Sequence, residues 1–365
     1  MIFSKLSDLC TDIIDCPHST PIWKESGVRI IRNFNIRNGL LDFSSGYYVD
    51  QETYISRTRR AIPEEGDIVI SREAPIGMAA IIPKGLKCCL GQRLVLLKVN
   101  KKKCDPYYLL TVIMSEFVQK QFRRADVTGS IVSNLCIPDL KNITIPLMEE
   151  GQSNVAHIFK NINNGIILTN KINDNLMQMA STVFMHYFFA RTPNGKLGSI
   201  IIEHAKSKIQ VSEAQNASGN IPFFTSGDSI LKCDTALVDD RCCYLNTGGN
   251  ADVKFYVGKA AYSTDTWCIS GKNDLSDYLY LLLYAIKSEL DKKYFQGTGL
   301  KHLQKPLLKD RPIYIPTTQE LNAFNAQIKP MLTKISDNIR ENQRLMSIRD
   351  WLLPLLMNGQ ATVEA

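Results

Sequence analysis

Leu135-Cys136-Ile137-Pro138-Asp139-Leu140-Lys141 is followed by Ile145-Pro146, and Leu303-Gln304-Lys305-Pro306-Leu307-Leu308-Lys309 by Ile315-Pro316. Leu135, Pro138, Leu140 and Lys141 each lie 168 residues before Leu303, Pro306, Leu308 and Lys309. Ile145, Pro146 and Glu150 lie 170 before Ile315, Pro316 and Glu320. Both stretches lead into a long helical pattern. A repeat of this length implies two copies of a domain-plus-helix unit, not a solenoid of short repeats. Two such units on one chain can reach two sites on one partner.

Working outward from these stretches, the chain of 365 residues is long enough for two or three domains. Its 44% hydrophobic and 22% charged content is that of a folded soluble protein. No apolar run reaches the roughly 18 residues of a membrane span. The segment 1–9 carries Lys5 and Asp8 and lacks a long apolar core, so no signal peptide is expected. The ten cysteines are scattered and form no CxxC, which argues against zinc and against a disulfide framework. The expectation is reduced, mostly buried thiols in a cytoplasmic protein, with no metal. The net charge of +7 permits nucleic-acid binding without demanding it.

Residues 1–148 read as a first mixed α/β domain. Val28-Arg29-Ile30-Ile31-Arg32, Ile68–Ile70, Met78–Ile82 and Leu94–Val99 have strand character, and Tyr107–Phe122 reads as one helix. Residues 149–190 form a long helix with Val155, Ile158, Ile162, Gly165, Thr169, Ile172, Leu176, Met179 and Val183 on a heptad-like seam. Some 40 helical residues extend roughly 60 Å. Residues 191–316 form the second mixed domain, opening with Lys196-Leu197-Gly198-Ser199-Ile200 as an echo of Lys5-Leu6-Ser7-Asp8-Leu9. A helix over Leu279–Leu290 is expected to match that over Tyr107–Phe122. Residues 317–358 form the second long helix, begun by the capping box Thr317-Thr318-Gln319-Glu320 and carrying Leu321, Phe324, Ile328, Leu332, Ile335, Ile339 and Met346 on its seam. Pro330 and Pro354 are expected to kink or break it. Residues 359–365 are a tail. Each helix is too long to be covered by one small domain, so the two are expected to pair antiparallel. The fold class is α+β, with two globular domains and an internal pseudo-repeat.

At this point the sequence resembles the specificity (S) subunit of Type I restriction–modification systems. The resemblance is carried by Gly27-Val28-Arg29-Ile30-Ile31-Arg32-Asn33-Phe34-Asn35-Ile36, Gly66-Asp67-Ile68-Val69-Ile70 and the two preludes to the long helices. Ile221-Pro222-Phe223-Phe224-Thr225-Ser226-Gly227 and Leu352-Leu353-Pro354-Leu355-Leu356-Met357-Asn358-Gly359-Gln360 add to it. Each string alone is weak; their order and duplication across the chain are specific. The resemblance implies two target-recognition domains, each reading half of a bipartite sequence in double-stranded DNA. It implies an antiparallel coiled coil that spaces them, with two methyltransferase (M) subunits docked on this framework. S-adenosylmethionine would belong to the M subunits, and ATP and Mg to a restriction (R) subunit that can join. The S subunit itself would hold no cofactor and no catalytic centre.

The residues are consistent with that absence. There is no Asn-Pro-Pro-Tyr motif for amino-methylation and no GxxxxGK[ST] phosphate loop. Asp139-Leu140-Lys141 resembles part of a nuclease cluster, but its duplicate is Leu307-Leu308-Lys309, so Asp139 reads as structural or solvated. Thr247-Gly248-Gly249-Asn250 lacks the strand-to-helix GxGxxG frame of a nucleotide site. Lys101-Lys102-Lys103 reads as a solvated loop.

DNA contact needs Lys and Arg for phosphates and polar side chains for base edges. The first domain offers Arg57, Arg59 and Arg60, close in sequence to Tyr47 and Tyr48, with Arg72, Arg123, Arg124 and Ser130. The second offers Lys206, Lys208, Arg241, Lys254, Lys259, Lys292, Lys293, Lys301 and His302. Gly297–His302 is the duplicate of the Gly129 loop. The two domains otherwise share little sequence, so an asymmetric target is expected. Two other readings stay open: a fused or Type II-like methyltransferase specificity protein, and a coiled-coil scaffold that does not touch DNA.

Overall fold

The computed structural model describes residues 2–37, 39–43, 46–73, 75–125, 134–227, 230–297, 299–357 and 360. It divides into two compact units, Met1–Ile167 with Leu345–Ala365, and Leu168–Arg344.

In the first unit, strand Ile2–Lys5 opens the chain, the one-turn helix Leu6–Leu9 follows, and strand Cys10–Asp15 enters the main sheet. At the other end, helix Ile137–Asn142 leads into strand Thr144–Leu147, which pairs antiparallel with the opening strand, Ile2 opposite Leu147 and Lys5 opposite Thr144. The Leu6 N–H donates to Ile143 O at 2.9 Å. The second unit closes in the same way. Gly195–Lys196, helix Leu197–Ile200 and strand Ile201–Glu203 open it; helix Lys305–Lys309 and strand Pro312–Ile313 close it. Gly195 lies opposite Ile313, and the Leu197 N–H donates to Arg311 O at 2.9 Å. Pro138 and Pro306 occupy the first turn of their short helices, where the missing N–H has no partner to lose. Leu6, Leu140, Leu197 and Leu308 are completely buried. The repeated sequence is therefore a latch that ties the beginning of each unit to its end. The latch also corrects one equivalence. Ile145 sits opposite Ser4 and Ile313 opposite Gly195, so Ile145 matches Ile313; the Ile315-Pro316 pair falls two residues later.

The main sheet of the first unit has the order Cys10–Asp15, Leu94–Val99, Ile68–Ser71, Ala79–Ile81, all antiparallel. Strand Leu94–Val99 is apolar on both faces. Val95 and Leu97 pack with Tyr108, Leu109 and Ile113, whereas Leu94 and Leu96 pack with Ile31, Ile36, Val69 and Ala80. A second sheet joins Tyr47–Val49, Val28–Ile31 and Cys88–Leu90. The expected helix Tyr107–Phe122 is two, Pro106–Ile113 and Glu116–Ala125. Ser115 separates them: its hydroxyl donates to Val112 O at 2.6 Å and accepts from the Val118 N–H. In the second unit the expected helix Leu279–Leu290 begins and ends earlier, at Ser276–Ala285.

The second unit is built on one six-stranded sheet, Ile201–Glu203, Thr266–Gly271, Val238–Asn246, Val253–Tyr262, Ile221–Phe224, Leu231–Cys233. One face sets Cys243, Leu245, Phe255, Trp267 and Ile269 in a core with Leu279, Leu283, Phe324 and Ile328. The opposite face carries Phe224, Cys242, Tyr244, Tyr256, Tyr262 and Cys268.

The long helices run Gln152–Phe188 and Thr318–Met357. The expected capping box is formed: the Glu320 N–H donates to Thr317 Oγ1 at 3.3 Å and the Thr317 N–H to Glu320 Oε2 at 2.9 Å. Within the second unit they are antiparallel. Asn342 donates to Asn170 at 2.8 Å, Asn338 to Asn173 at 2.7 Å, and Gln327 to the Tyr187 hydroxyl at 2.9 Å. Within the first unit, Val155, Ala156 and Phe159 share a core with Leu353 and Leu356.

The seam on the first long helix is rotated by one residue from its expected position. The inward side chains are Ala156, Phe159, Asn163, Ile166, Asn173, Met177, Ala180, Phe184 and Phe188. Of the expected set, Val155 is buried, Ile158, Ile162 and Leu176 are half-buried, and Ile172 and Met179 face solvent at 40% and 52% exposure. The cause is polar residues at core positions. Asn163 and Asn173 interrupt the true stripe and the exposed Asn170 flanks it, and the neighbouring face one position away, about 100° round the helix, is no less apolar. On the second long helix, Ile328, Leu332 and Ile335 face inward as expected. Ile339 instead packs on the sheet beside Tyr256, and Met346 is half-buried. Neither proline ends this helix. Pro330 is exposed, so the carbonyl it leaves without an N–H partner lies on the solvent side.

Candidate nucleic-acid interface

Three of the expected DNA-contacting arginines are structural. Helix Gln51–Arg57, capped by Asp50 accepting from the Thr53 N–H at 2.9 Å, turns Arg57 inward at its last residue. Arg57 Nε donates to Leu90 O at 2.8 Å, Nη1 to Ser19 O at 2.9 Å and Nη2 to Pro17 O at 3.0 Å. Arg72 donates to Leu135 O at 2.8 Å and to Asp15 Oδ1 at 2.7 Å. Each is only 8% exposed, so both are corrected from surface contact to internal brace. Arg241 forms a bidentate pair with the fully buried Asp277 and donates to Thr333 Oγ1 at 2.9 Å, binding strand, helix and long helix together. Arg57 lies in a basic stretch, whereas Arg72 and Arg241 stand beside Glu73 and Asp240, and sequence does not distinguish a guanidinium that serves carbonyls from one that serves phosphates. Lys254 is also committed: its ammonium donates to Thr225 O at 2.8 Å and Gly227 O at 2.6 Å, fixing that loop.

Other expected cations reach solvent. Arg59, Arg60, Arg123, Arg124, Lys206, Lys208, Lys259, Lys292, Lys293 and His302 are exposed. Arg123 pairs with Glu116, Lys293 with Glu289 at 3.3 Å, and the half-buried Lys301 with Asp291 at 3.2 Å. Arg59, Arg124, Lys206, Lys208, Lys259 and Lys292 form no salt bridge among the described residues. Ser130 and its loop lie outside the described residues.

The second unit gathers four of these groups at one corner. The Gly249 N–H donates to Lys301 O at 2.9 Å and the Leu303 N–H to Thr247 O at 3.0 Å, which sets the Thr247–Asn250 turn against Lys301 and His302. Asn246 Nδ2 donates to Ser226 O at 2.8 Å and Asn250 O at 3.1 Å. The Ala251 N–H donates to Asp291 Oδ1 at 3.1 Å, which brings in the segment bearing Lys292 and Lys293. That N–H, helped by Lys301, holds the Asp291 carboxyl below the usual carboxylate range. The corner thus offers cations for phosphates and Ser226, Asn250 and His302 for base edges on a braced backbone. The Thr247 turn, read from sequence as no nucleotide site, is part of this corner.

The first unit holds a group that basic stretches did not reveal. The Arg32 guanidinium lies over the rings of Trp23, Phe34 and Tyr47 at 5.0, 5.3 and 5.2 Å. Arg29 lies over Phe43 at 4.8 Å and Tyr48 at 5.2 Å. Phe34 and Tyr47 are exposed, at 37% and 40%. Strand pairing creates the cluster, with Arg29 opposite Tyr48 and Ile30 opposite Tyr47. Arginines stacked on exposed aromatic faces are suited to nucleic acid, since they supply charge, fork-shaped donors and π surface together. The available signal was aromatic residues flanking an arginine-bearing strand, as opposed to a run of basic ones.

Comparison with known proteins agrees with a chain built from two copies of one domain. Type I restriction enzyme MjaIX specificity subunit of Methanocaldococcus jannaschii is 25% identical over 85% of this chain and 84% of its own length. The putative type I restriction enzyme MjaX specificity subunit of the same organism is 24% identical over 93% of this chain and 88% of its own. The crystal structure of the S subunit of a Type-I restriction-modification system from M. genitalium shares the fold, with a TM-score of 0.52, 14% identity, and coverage of 96% of this chain and 94% of that one. The family model for the Type I restriction modification DNA specificity domain matches twice, over residues 3–178 and 194–348, each match holding one latch and most of the long helix that follows it, and the chain belongs to that family.

Proposed function

We propose that this chain is the DNA-specificity subunit of a Type I restriction–modification complex, and that its two units read the two halves of a bipartite, asymmetric target. The observation that carries this reading is one latch built twice beneath two unlike surfaces. The first unit offers Arg29 and Arg32 stacked on aromatic rings, and the second a loop corner with Lys292, Lys293, Lys301 and His302. A symmetric target would call for two like surfaces.

In this reading the chain recognises and positions, and the chemistry resides in its partners. Methyltransferase subunits bring S-adenosylmethionine, and a restriction subunit brings ATP and Mg. The chain itself needs no cofactor for recognition. Leu168, Ile172 and Met179 support a docking role for the first long helix. They are 60%, 40% and 52% exposed and fall on one helix face, an apolar stripe left over once the inward seam is filled. A cytoplasmic location fits the target, and no described helix is long and apolar enough to cross a membrane.

The test is reconstitution with the methyltransferase subunit and sequencing of methylated bases in a random-sequence duplex library. Methylation confined to one two-part motif supports the reading. Methylation by the isolated chain, or methylation by the complex without sequence preference, contradicts it.

A further inference from the structure

The second face of the six-stranded sheet carries a group of side chains that DNA recognition does not use. Strands Ile201–Glu203, Thr266–Gly271 and Val238–Asn246 are neighbours. Just past the first, the His204 N–H donates to Cys268 O at 3.1 Å, which puts His204 beside Cys268. On the third strand Tyr244 lies opposite Cys268, and Cys242 stands two residues before it on the same face. One imidazole and two thiols from three adjacent strands therefore converge. His204 Nε2 is 3.4 Å from Cys242 Sγ, and the three ligand atoms all lie within 4.8 Å of one another. Among the described residues this is the one group of three His, Cys or carboxylate side chains close enough to share an ion.

We propose that His204, Cys242 and Cys268 form a binding site for a thiophilic divalent cation, zinc(II) by its chemistry. Tetrahedral zinc with Zn–S near 2.3 Å and Zn–N near 2.0 Å requires ligand atoms about 3.5–3.8 Å apart; the His204–Cys242 separation of 3.4 Å lies just below that range, and the atoms, all within 4.8 Å of one another, need only close on the ion. Both thiols are almost fully buried, whereas His204 is half-exposed, giving the ion a route in and a place for water as fourth ligand. The Tyr262 hydroxyl donates to Ala205 O at 2.6 Å and so fixes the backbone next to His204 without taking a ligand position. Ser270 Oγ hydrogen-bonds His204 Nε2 at 3.0 Å, a contact the ion would replace, which frees the hydroxyl to hydrogen-bond the bound water or a thiolate.

The absence of close ligand pairs in sequence, which argued against zinc, is explained by the sheet: the ligands come from separate strands and meet only after folding.

The proposal is tested on the full-length chain, reduced and stripped of metal by chelator, by titration with cobalt(II) and competition with zinc. The expected result is one equivalent bound, with a near-ultraviolet thiolate-to-cobalt band and the visible bands of tetrahedral cobalt, all abolished by zinc. Cys242→Ser and Cys268→Ser should each lose the charge-transfer intensity, and Cys136→Ser, in the other unit, should keep it. His204 is half-exposed, so His204→Asn should fold by circular dichroism even if a cysteine variant does not, and should bind at least tenfold more weakly. No bands from the wild-type chain, bands that persist in the folded cysteine variants, or unchanged affinity in His204→Asn overturns the proposal.

Discussion

In the first unit, Leu6 meets Ile143 at the latch, and half-buried arginines near Val28–Ile31 lie on aromatic rings, two of them exposed. In the second, Leu197 meets Arg311 at the corresponding latch, but the exposed corner is made of turns held by Asn246, Lys254 and Asp291. The duplicated part is anchored by buried leucines and closes each unit; the divergent part is exposed and built from loops and short strands. The buried leucines of the latch tolerate few substitutions, because each is surrounded, whereas solvent-facing loops can be rebuilt without disturbing the core. This is the physical basis on which one scaffold can carry two specificities.

The two units also differ in how they use buried arginine, and this gives the largest expected effects. Arg241→Met leaves the Asp277 carboxylate buried without its partner and should cost roughly 3–5 kcal/mol of stability, read as a lowered urea midpoint. Loss of less than about 1 kcal/mol would mean that Asp277 finds water or another donor. Arg57→Ala leaves three carbonyls without a charged donor in the first unit and should cost about 2–3 kcal/mol by the same measurement. Its DNA affinity at fixed folded fraction should change little. A large loss of affinity in a fully folded variant would return Arg57 to the DNA surface.

A smaller effect is expected at the polar stretch of the helix pair. Asn338 donates to Asn173 in a seam otherwise filled by Phe184, Phe324, Ile328 and Leu332. Asn338→Leu combined with Asn173→Leu should raise the urea midpoint, by up to about 1 kcal/mol, since buried asparagines fix register at a cost in stability. A fall would show that the pair is a net stabilising contact. The smallest effect on folding belongs to Arg59→Ala with Arg60→Ala. Stability should move by less than about 0.5 kcal/mol, while the salt dependence of DNA binding by the assembled complex flattens by up to about 0.9 per lost phosphate contact. An unchanged slope would remove both residues from the interface.

The repeat that forms the latch was legible in sequence because buried leucines and first-turn prolines recur at fixed spacing, whereas the strand pairing that closes it appears only in the fold. The capping box at Thr317 was legible for a similar reason: its partners are three residues apart and need no tertiary context. The helix seam was misread by one residue because Asn163, Asn170 and Asn173 occupy or flank core positions while Ile172 and Met179 are exposed. A pattern of apolar residues cannot register a polar core. The arginines failed for the opposite reason. Arg57, Arg72 and Arg241 look like surface charge until the carbonyls and carboxylates they serve are folded around them. Arg32 stands alone in sequence, and its three rings arrive from residues 23, 34 and 47.

The central claim is that each unit reads its own half of one target, and motif analysis of a single altered surface tests it most directly. Arg32→Ala should be assembled with the methyltransferase subunit, and the methylated motif sequenced beside that of the unaltered complex. The account predicts a two-part motif in which one half relaxes and the other keeps its bases. Equal relaxation of both halves, or an unchanged motif at unchanged affinity, would contradict it.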